Sequence, residues 1–255
     1  MIDLEATVLS DHLLWVDAND KVDRNSVHRV YVFFGHPSMV SSIYVPEIDS
    51  TYMVLPSMRK SYLNTSEGDW LPGYGHVKYL FSDFMFSEEG DHVFAVSRSP
   101  AVYDMGWHGE ESNPFLSYNF AKAVIRVGDG PAGCWEGGAP IEIIPKIPPY
   151  DIKVGDTLNL EVTYHGMPVK AEYSASYWTW EEHGDPRIIK GHTDNSGEFS
   201  IKLTQVGLWF IVSTYAINQS GCWKATHSLA PFFALGDILP YNYTRYKMTL
   251  SIWVR

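Results

Sequence analysis

The segment GEFSIKLT, residues 197 to 204, sets Phe199, Ile201 and Leu203 in alternation with Ser200 and Lys202. Successive side chains of an extended chain point to opposite faces, so a period of two predicts a strand with one face in a core and the other in water. The same reading extends to short runs rich in β-branched and aromatic residues and bounded by Gly, Pro, Asp or Ser. These are HRVYVFFGH at 28–36, DHVFAVSR at 91–98, TLNLEVTY from 157, AEYSASYWTW from 171, GLWFIVSTYA from 207 and YKMTLSIWV from 246. NFAKAVIRV at 119–127 also fits a strand, although its Ala and Lys residues leave a helix open. Long helical windows of Ala, Leu, Glu and Lys are missing, and aromatic residues make up 15% of the chain, a composition that suits half-buried pleated surfaces. The expected fold class is all-β.

A chain of 255 residues can form one large all-β domain or two smaller ones. In IEIIPKIPPYDIKVGDTLNL, Pro145, Pro148 and Pro149 interrupt the apolar pattern and stiffen the chain. This predicts an N-terminal β-sandwich over residues 1–145 and a second domain over residues 150–255. The regular succession of strands and turns in the latter suggests an immunoglobulin-like sandwich. Residues 99–118 hold two prolines, Pro100 and Pro114, show no sustained period and read as a long loop.

The formal net charge is −11 and no window gathers Lys and Arg into a stripe, which argues against a nucleic-acid partner. No segment approaches the roughly 18 apolar residues that span a bilayer. The N-terminus lacks a basic start followed by an apolar run, so a signal or anchor is expected to have been removed if the protein is exported. The chain has no G-x-S-x-G elbow, H-E-x-x-H pair, phosphate-binding glycine loop, dinucleotide fingerprint or calcium loop. An enzyme is not expected.

Three groups of residues carry the chemistry that remains. The ten histidines include His12 in DHLLWVDA, His36 in FFGHPS, His76 in GYGHVKY and His108 in MGWHGEE. Neutral imidazole is the commonest side-chain ligand of Ni, Co, Cu and Zn, and a histidine held at a rigid strand end, as in FFGHP, is well placed to be one. Trp70 and Tyr74, with Trp178 and Trp180, could form stacking platforms for a sugar or a cage for a cation. Cys134 and Cys222 each sit in a GCW tripeptide. They allow a disulfide worth about 4 kcal/mol on the loop-entropy model, two separate thiols, or a soft-metal pair.

With these motifs in order, the chain resembles the bacterial and archaeal DUF4198 family. DHLLWVDA is similar to the family's His-x-x-Trp opening, and FFGHP to its Gly-His after the first core strand. SYNFAKAVIRVG resembles its Tyr-Ala-Lys segment, and PIEIIP, PYDIKVGDTLNLEVTYHGMPV and TDNSGEFSIKLTQVGLWFIVS resemble its second, immunoglobulin-like half. The resemblance implies two β-sandwich domains outside the membrane, in the periplasm or at the cell surface. In some members it implies an accessory role beside nickel and cobalt transporters of the energy-coupling-factor type. The expected metal ligands are then His12 and His36, which match the family's motifs, with His108 added from its loop. The expected cofactor is a divalent ion, nickel or cobalt before copper or zinc, and the expected partner a membrane transporter component. In an exported protein a Cys134–Cys222 bridge is also expected. The alternative is a cell-surface sandwich module that binds a glycan or protein without metal.

Overall fold

A computed structural model describes residues 12–35, 47–178 and 189–255. The first strands are β1 (Leu13–Asp17), β2 (Lys21–Val22), β3 (Ser26–Gly35), β4 (Ile48–Val54), β5 (Lys60–Tyr62), β6 (Ser66–Gly68) and β7 (Tyr79–Phe86). Next come β8 (Gly90–Arg98), β9 (Ala101–Tyr103), β10 (Phe115–Val127), β11 (Ile141–Pro145), β12 (Thr157–Tyr164), β13 (Met167–Pro168) and β14 (Glu172–Trp178). The last are β15 (Ile189–His192), β16 (Glu198–Lys202), β17 (Gly207–Ile217), β18 (Gly221–Lys224), β19 (Ile238–Tyr241) and β20 (Tyr243–Val254). The chain is nearly all β, as the alternating patterns predict. The region 99–118 is less irregular than its sequence suggests: it holds β9, a 3-10 turn at Met105–His108 and the start of β10.

A ten-stranded sheet forms the centre, in the order β15-β14-β17-β20-β10-β8-β4-β5, with β2 and β9 also on β10. The parallel pairing of β10 with β20, Phe115↔Tyr243 through Ala123↔Ser251, joins strands far apart in sequence. Both faces of this sheet are covered, so its inner strands read as nearly continuous apolar runs instead of alternating ones. Even-numbered Phe120 of β10 packs in a core with Met248 and Leu250 of β20, Trp209 and Ile211 of β17, and Ile143, Leu160 and Phe199 from the third sheet, β11-β12-β13 with β16. Odd-numbered Ala121, Ala123, Ile125 and Val127 turn the other way, into a core with Val30, Val32 and Phe34 of the first sheet, β1-β3-β7-β6.

The small residues on that second face have a purpose. β1 runs beside β10 and β20, and the Val16 amide donates to Ser251 Oγ at 3.3 Å. A small residue such as Ser251 leaves room for a backbone so close. Leu14 and Val16 then enter one core, while Leu13 and Trp15 enter another with Phe33, Leu208 and Phe210. The unbroken apolar run LLWV follows from this burial on both sides.

The proline stretch lies between two strands that pair with each other. β11, which ends at Pro145, pairs antiparallel with β12, Ile141↔Tyr164 through Pro145↔Leu160, so the expected 145/150 boundary is a bend between paired strands. The two sandwiches share the central sheet, to which residues 1–145 contribute β2, β4, β5, β8, β9 and β10 and residues 150–255 contribute β14, β15, β17 and β20.

The segment 128–140 is held against the even face of β10. Lys122, fully buried, donates to Glu142 and to the Trp135 carbonyl, and Glu142 accepts the Ala139 amide at 2.8 Å. Buried Asp91 accepts from Arg126 at 3.0 Å, the Gly133 amide at 3.0 Å and the Trp135 indole at 2.7 Å. Gly130 lies so near the Glu89–Gly90 peptide that a Cβ there would come within 2.4 Å of backbone, which excludes any larger residue without movement.

Candidate functional site

Followed toward its N-terminal end, the odd face of β10 changes from Ile125, Ala123 and Ala121 to Asn119 and Ser117. Ser117 and Asn119 border a cavity of about 230 Å³. Its lining includes Ser117 and Asn119 of β10, His12 and Phe34 beside the ends of β1 and β3, Arg98 of β8, Ala101, Val102 and Tyr103 of β9, and Arg245 of β20. Leu229, Ala230 and Phe232 complete it from the loop between β18 and β19.

The polar side chains are held by the sheet and by aromatic rings. Ser117 stands opposite Arg245 in the β10–β20 register and opposite Ala101 in the β10–β9 register. Asn119 Nδ2 donates to Ser117 Oγ at 3.1 Å, which leaves the Ser117 hydroxyl proton for another acceptor. The Arg98 guanidinium lies 4.3 Å from the Phe34 ring centre and the Arg245 guanidinium 4.0 Å from that of Phe115, within cation–π range. His12 packs on Phe34 with ring centres 5.4 Å apart.

Two loops form the rim. In one, Leu229 accepts the Phe232 and Phe233 amides, Ser228 Oγ accepts the Leu235 amide at 2.9 Å, and Asp237 accepts the Ala234 amide at 2.8 Å. In the other, Asp104 accepts from the amides of Gly106 and Asn113 at 3.0 Å each and from Ser112 Oγ at 2.7 Å. Partial burial alone would raise the Asp104 carboxyl, but these hydrogen bonds hold it below its ordinary pKa. Trp107 stacks on Phe232 at 4.3 Å and ties the two loops together. His227 lies beneath them against Trp223 and Phe233, and burial, then the positive charge of Arg98, pushes its pKa down.

Of the predicted ligands, His12 lines this cavity. His36 lies outside the described residues; its chain neighbour Gly35 pairs with Leu13, the chain neighbour of His12. His108 ends the 3-10 turn whose Trp107 meets Phe232 at the rim. The expected disulfide is not formed. Cys134 and Cys222 are exposed free thiols, the first in the segment fastened by Asp91 and the second in the β18–β19 hairpin, whose Trp223 packs on Val102 and Leu116. The repeated tripeptide reflects two separate packing sites.

Of the four aromatic candidates, the side chains of Trp70 and Tyr74 are described. Tyr74 stacks on Phe33 at 4.8 Å in the core and donates to Asp17 at 2.8 Å, while Trp70 remains exposed. Trp180 lies outside the described residues. His92 is a core histidine between Phe84 and Phe86, its pKa lowered by burial.

Sequence reasoning passed over Arg98, Ser117, Asn119 and Arg245. A signal was present in polar Ser117 and Asn119 on the otherwise apolar odd face of β10, because a buried polar face marks a strand that meets something other than a core.

The family model DUF4198, a domain of unknown function, matches residues 11–217. The match runs through the end of β17 and includes the cavity residues from His12 to Asn119, whereas Arg245 and the covering loop lie beyond it. No curated protein matches the chain.

Proposed function

The chain belongs to the DUF4198 family, and from that premise we propose that it is an extracytoplasmic protein that binds a divalent late transition metal ion and assists a membrane transporter. Nickel or cobalt is the leading cargo, with copper or zinc next. One observation carries the reading: His12 lines the cavity, and the 3-10 turn that ends at His108 meets the cavity's lining where Trp107 stacks on Phe232. Among the described residues no three His, Cys, Asp or Glu side chains stand together. The proposed ligand set adds His36, which lies outside the described residues.

Two or three neutral imidazoles would favour copper most in intrinsic affinity, so a preference for nickel or cobalt has to come from geometry and supply. The test is calorimetric titration of metal-stripped protein with Ni²⁺, Co²⁺, Cu²⁺ and Zn²⁺, beside a His12→Ala, His36→Ala double variant. Binding that the double variant loses by tenfold or more supports the reading; equal binding by both proteins overturns it.

A further inference from the structure

We infer that the cavity binds a small uncharged organic molecule that carries a carboxamide, with Asn119 as the partner of the amide edge and Ser117 as a second donor. The first ground is hydrogen-bonding capacity left over in a buried place. Ser117 and Asn119 are 6% and 5% exposed and line the cavity, on a strand face whose next residues, Ala121, Ala123 and Ile125, lie in a core. Among the described residues these two side chains bond only to each other, Asn119 Nδ2 donating to Ser117 Oγ at 3.1 Å. That bond uses one N–H of Asn119 and leaves its Oδ1, its other N–H and the Ser117 hydroxyl proton. A buried amide with nothing at its oxygen is costly, and a partner inside the cavity removes that cost.

The groups that remain decide the chemistry of the ligand. They are an acceptor and donors side by side, and none is charged. A carboxamide offers the reverse: its N–H donates to Asn119 Oδ1, and its carbonyl accepts from the Asn119 amide or the Ser117 hydroxyl. A ketone can meet only the donors, and a hydrocarbon meets neither. Arg98 and Arg245 line the same cavity, but each takes part in further interactions of the chain, and the recognition does not depend on them.

The walls set the rest of the molecule. Ala101, Val102, Leu229, Ala230 and Phe232 line the cavity, so a hydrocarbon body gains by leaving water for this surface. The space of about 230 Å³ far exceeds the roughly 10–15 Å³ a single water needs and suits a compact molecule of this kind. The inference does not rest on the metal reading, since it uses neither His12 nor a bound ion.

NMR titration of the full chain with benzamide and isobutyramide tests the proposal, beside acetophenone and isopropyl methyl ketone, which keep the shape and the carbonyl but lack the N–H. Benzoate is the charged counterpart of benzamide. At least one amide is expected to bind, about fivefold or more tightly than its ketone, and benzamide more tightly than benzoate. Asn119→Leu should abolish the preference for amide over ketone, which a general loosening of the cavity would not do because it weakens both alike. If that variant fails to fold, Asn119→Ala takes its place with the same expectation. Ser117→Ala should weaken amide and ketone together, by about threefold. The proposal is overturned if neither amide binds, if each ketone binds as tightly as its amide, if benzoate binds more tightly than benzamide, which assigns recognition to charge, or if the Asn119 variant keeps the amide preference.

Discussion

The two faces of β10 handle buried polar groups in opposite ways. On the even face Lys122 and Arg126 meet carboxylates of their own chain, Glu142 and Asp91, and those carboxylates also accept amides from the segment 128–140. On the odd face Ser117 and Asn119 border a cavity, and the nearby Arg98 and Arg245 lie against rings. Charge on the first face closes the structure, because every ion there is desolvated only together with its counter-ion. Charge on the second face surrounds a space large enough for a ligand. The comparison sets polar groups that tie two segments together beside polar groups that border a space, and it can be broken.

The largest effect is expected at the even face. Lys122→Met leaves Glu142 buried without its counter-charge, and losing one partner of such a pair costs about 3–5 kcal/mol. Adding Glu142→Leu should restore part of that loss, since both charges are then gone, although the Ala139 amide loses its acceptor. Urea unfolding of the two single variants and the double variant measures the coupling. If Lys122→Met costs less than about 1 kcal/mol, the even face is not closed in this way.

A smaller effect is expected for Asp91→Asn. The amide keeps one acceptor oxygen but removes the charge facing Arg126 and one of the contacts to Gly133 and Trp135. The expected loss is about 1–3 kcal/mol, with a change in Trp135 fluorescence and faster proteolysis between residues 128 and 140. Metal binding at the odd face should not change. A parallel loss of binding would show that the two faces act as one unit.

How much of this could be read beforehand depended on whether a strand has a wet face. GEFSIKLT alternates visibly because β16 has one, whereas NFAKAVIRV left helix and strand open because β10 is covered on both sides. Its strand character is settled by β8 and β20, partners that no local pattern reveals. His12 was legible because a histidine just before an apolar run is conspicuous. Arg98 and Arg245 were not, since each ends or opens a strand as many arginines do, and only the sheet order brings them to one cavity. The doubled GCW suggested a link that the fold does not make, for sequence identity of two tripeptides carries no information about distance. Tyr74 shows the same limit: no local pattern reveals that its ring stacks on Phe33 and that its hydroxyl donates to the Asp17 carboxylate.

That carboxylate, Asp17, tests the comparison at its mildest, because it lies between the two cases. It sits at the end of β1, accepts from Tyr74 and also from Trp253, and has no cation among the causes that shift it. Burial raises its pKa above the ordinary value, and the two hydrogen bonds only partly oppose that rise. For an acid whose pKa is higher in the folded state than in the unfolded one, the native state holds the proton more tightly. Its contribution to stability is full below the unfolded value, near 4, and is lost as the pH rises through the raised native value. Asp17→Asn keeps an oxygen for Tyr74 and cannot ionise. The variant should therefore gain stability relative to the parent between acid and neutral pH, with the difference growing through that window and then levelling off. Thermal unfolding of both proteins at several pH values from 4 to 7 measures it. A difference that stays flat with pH, or that runs in the parent's favour as the pH rises, would mean that Asp17 is as well compensated as Glu142.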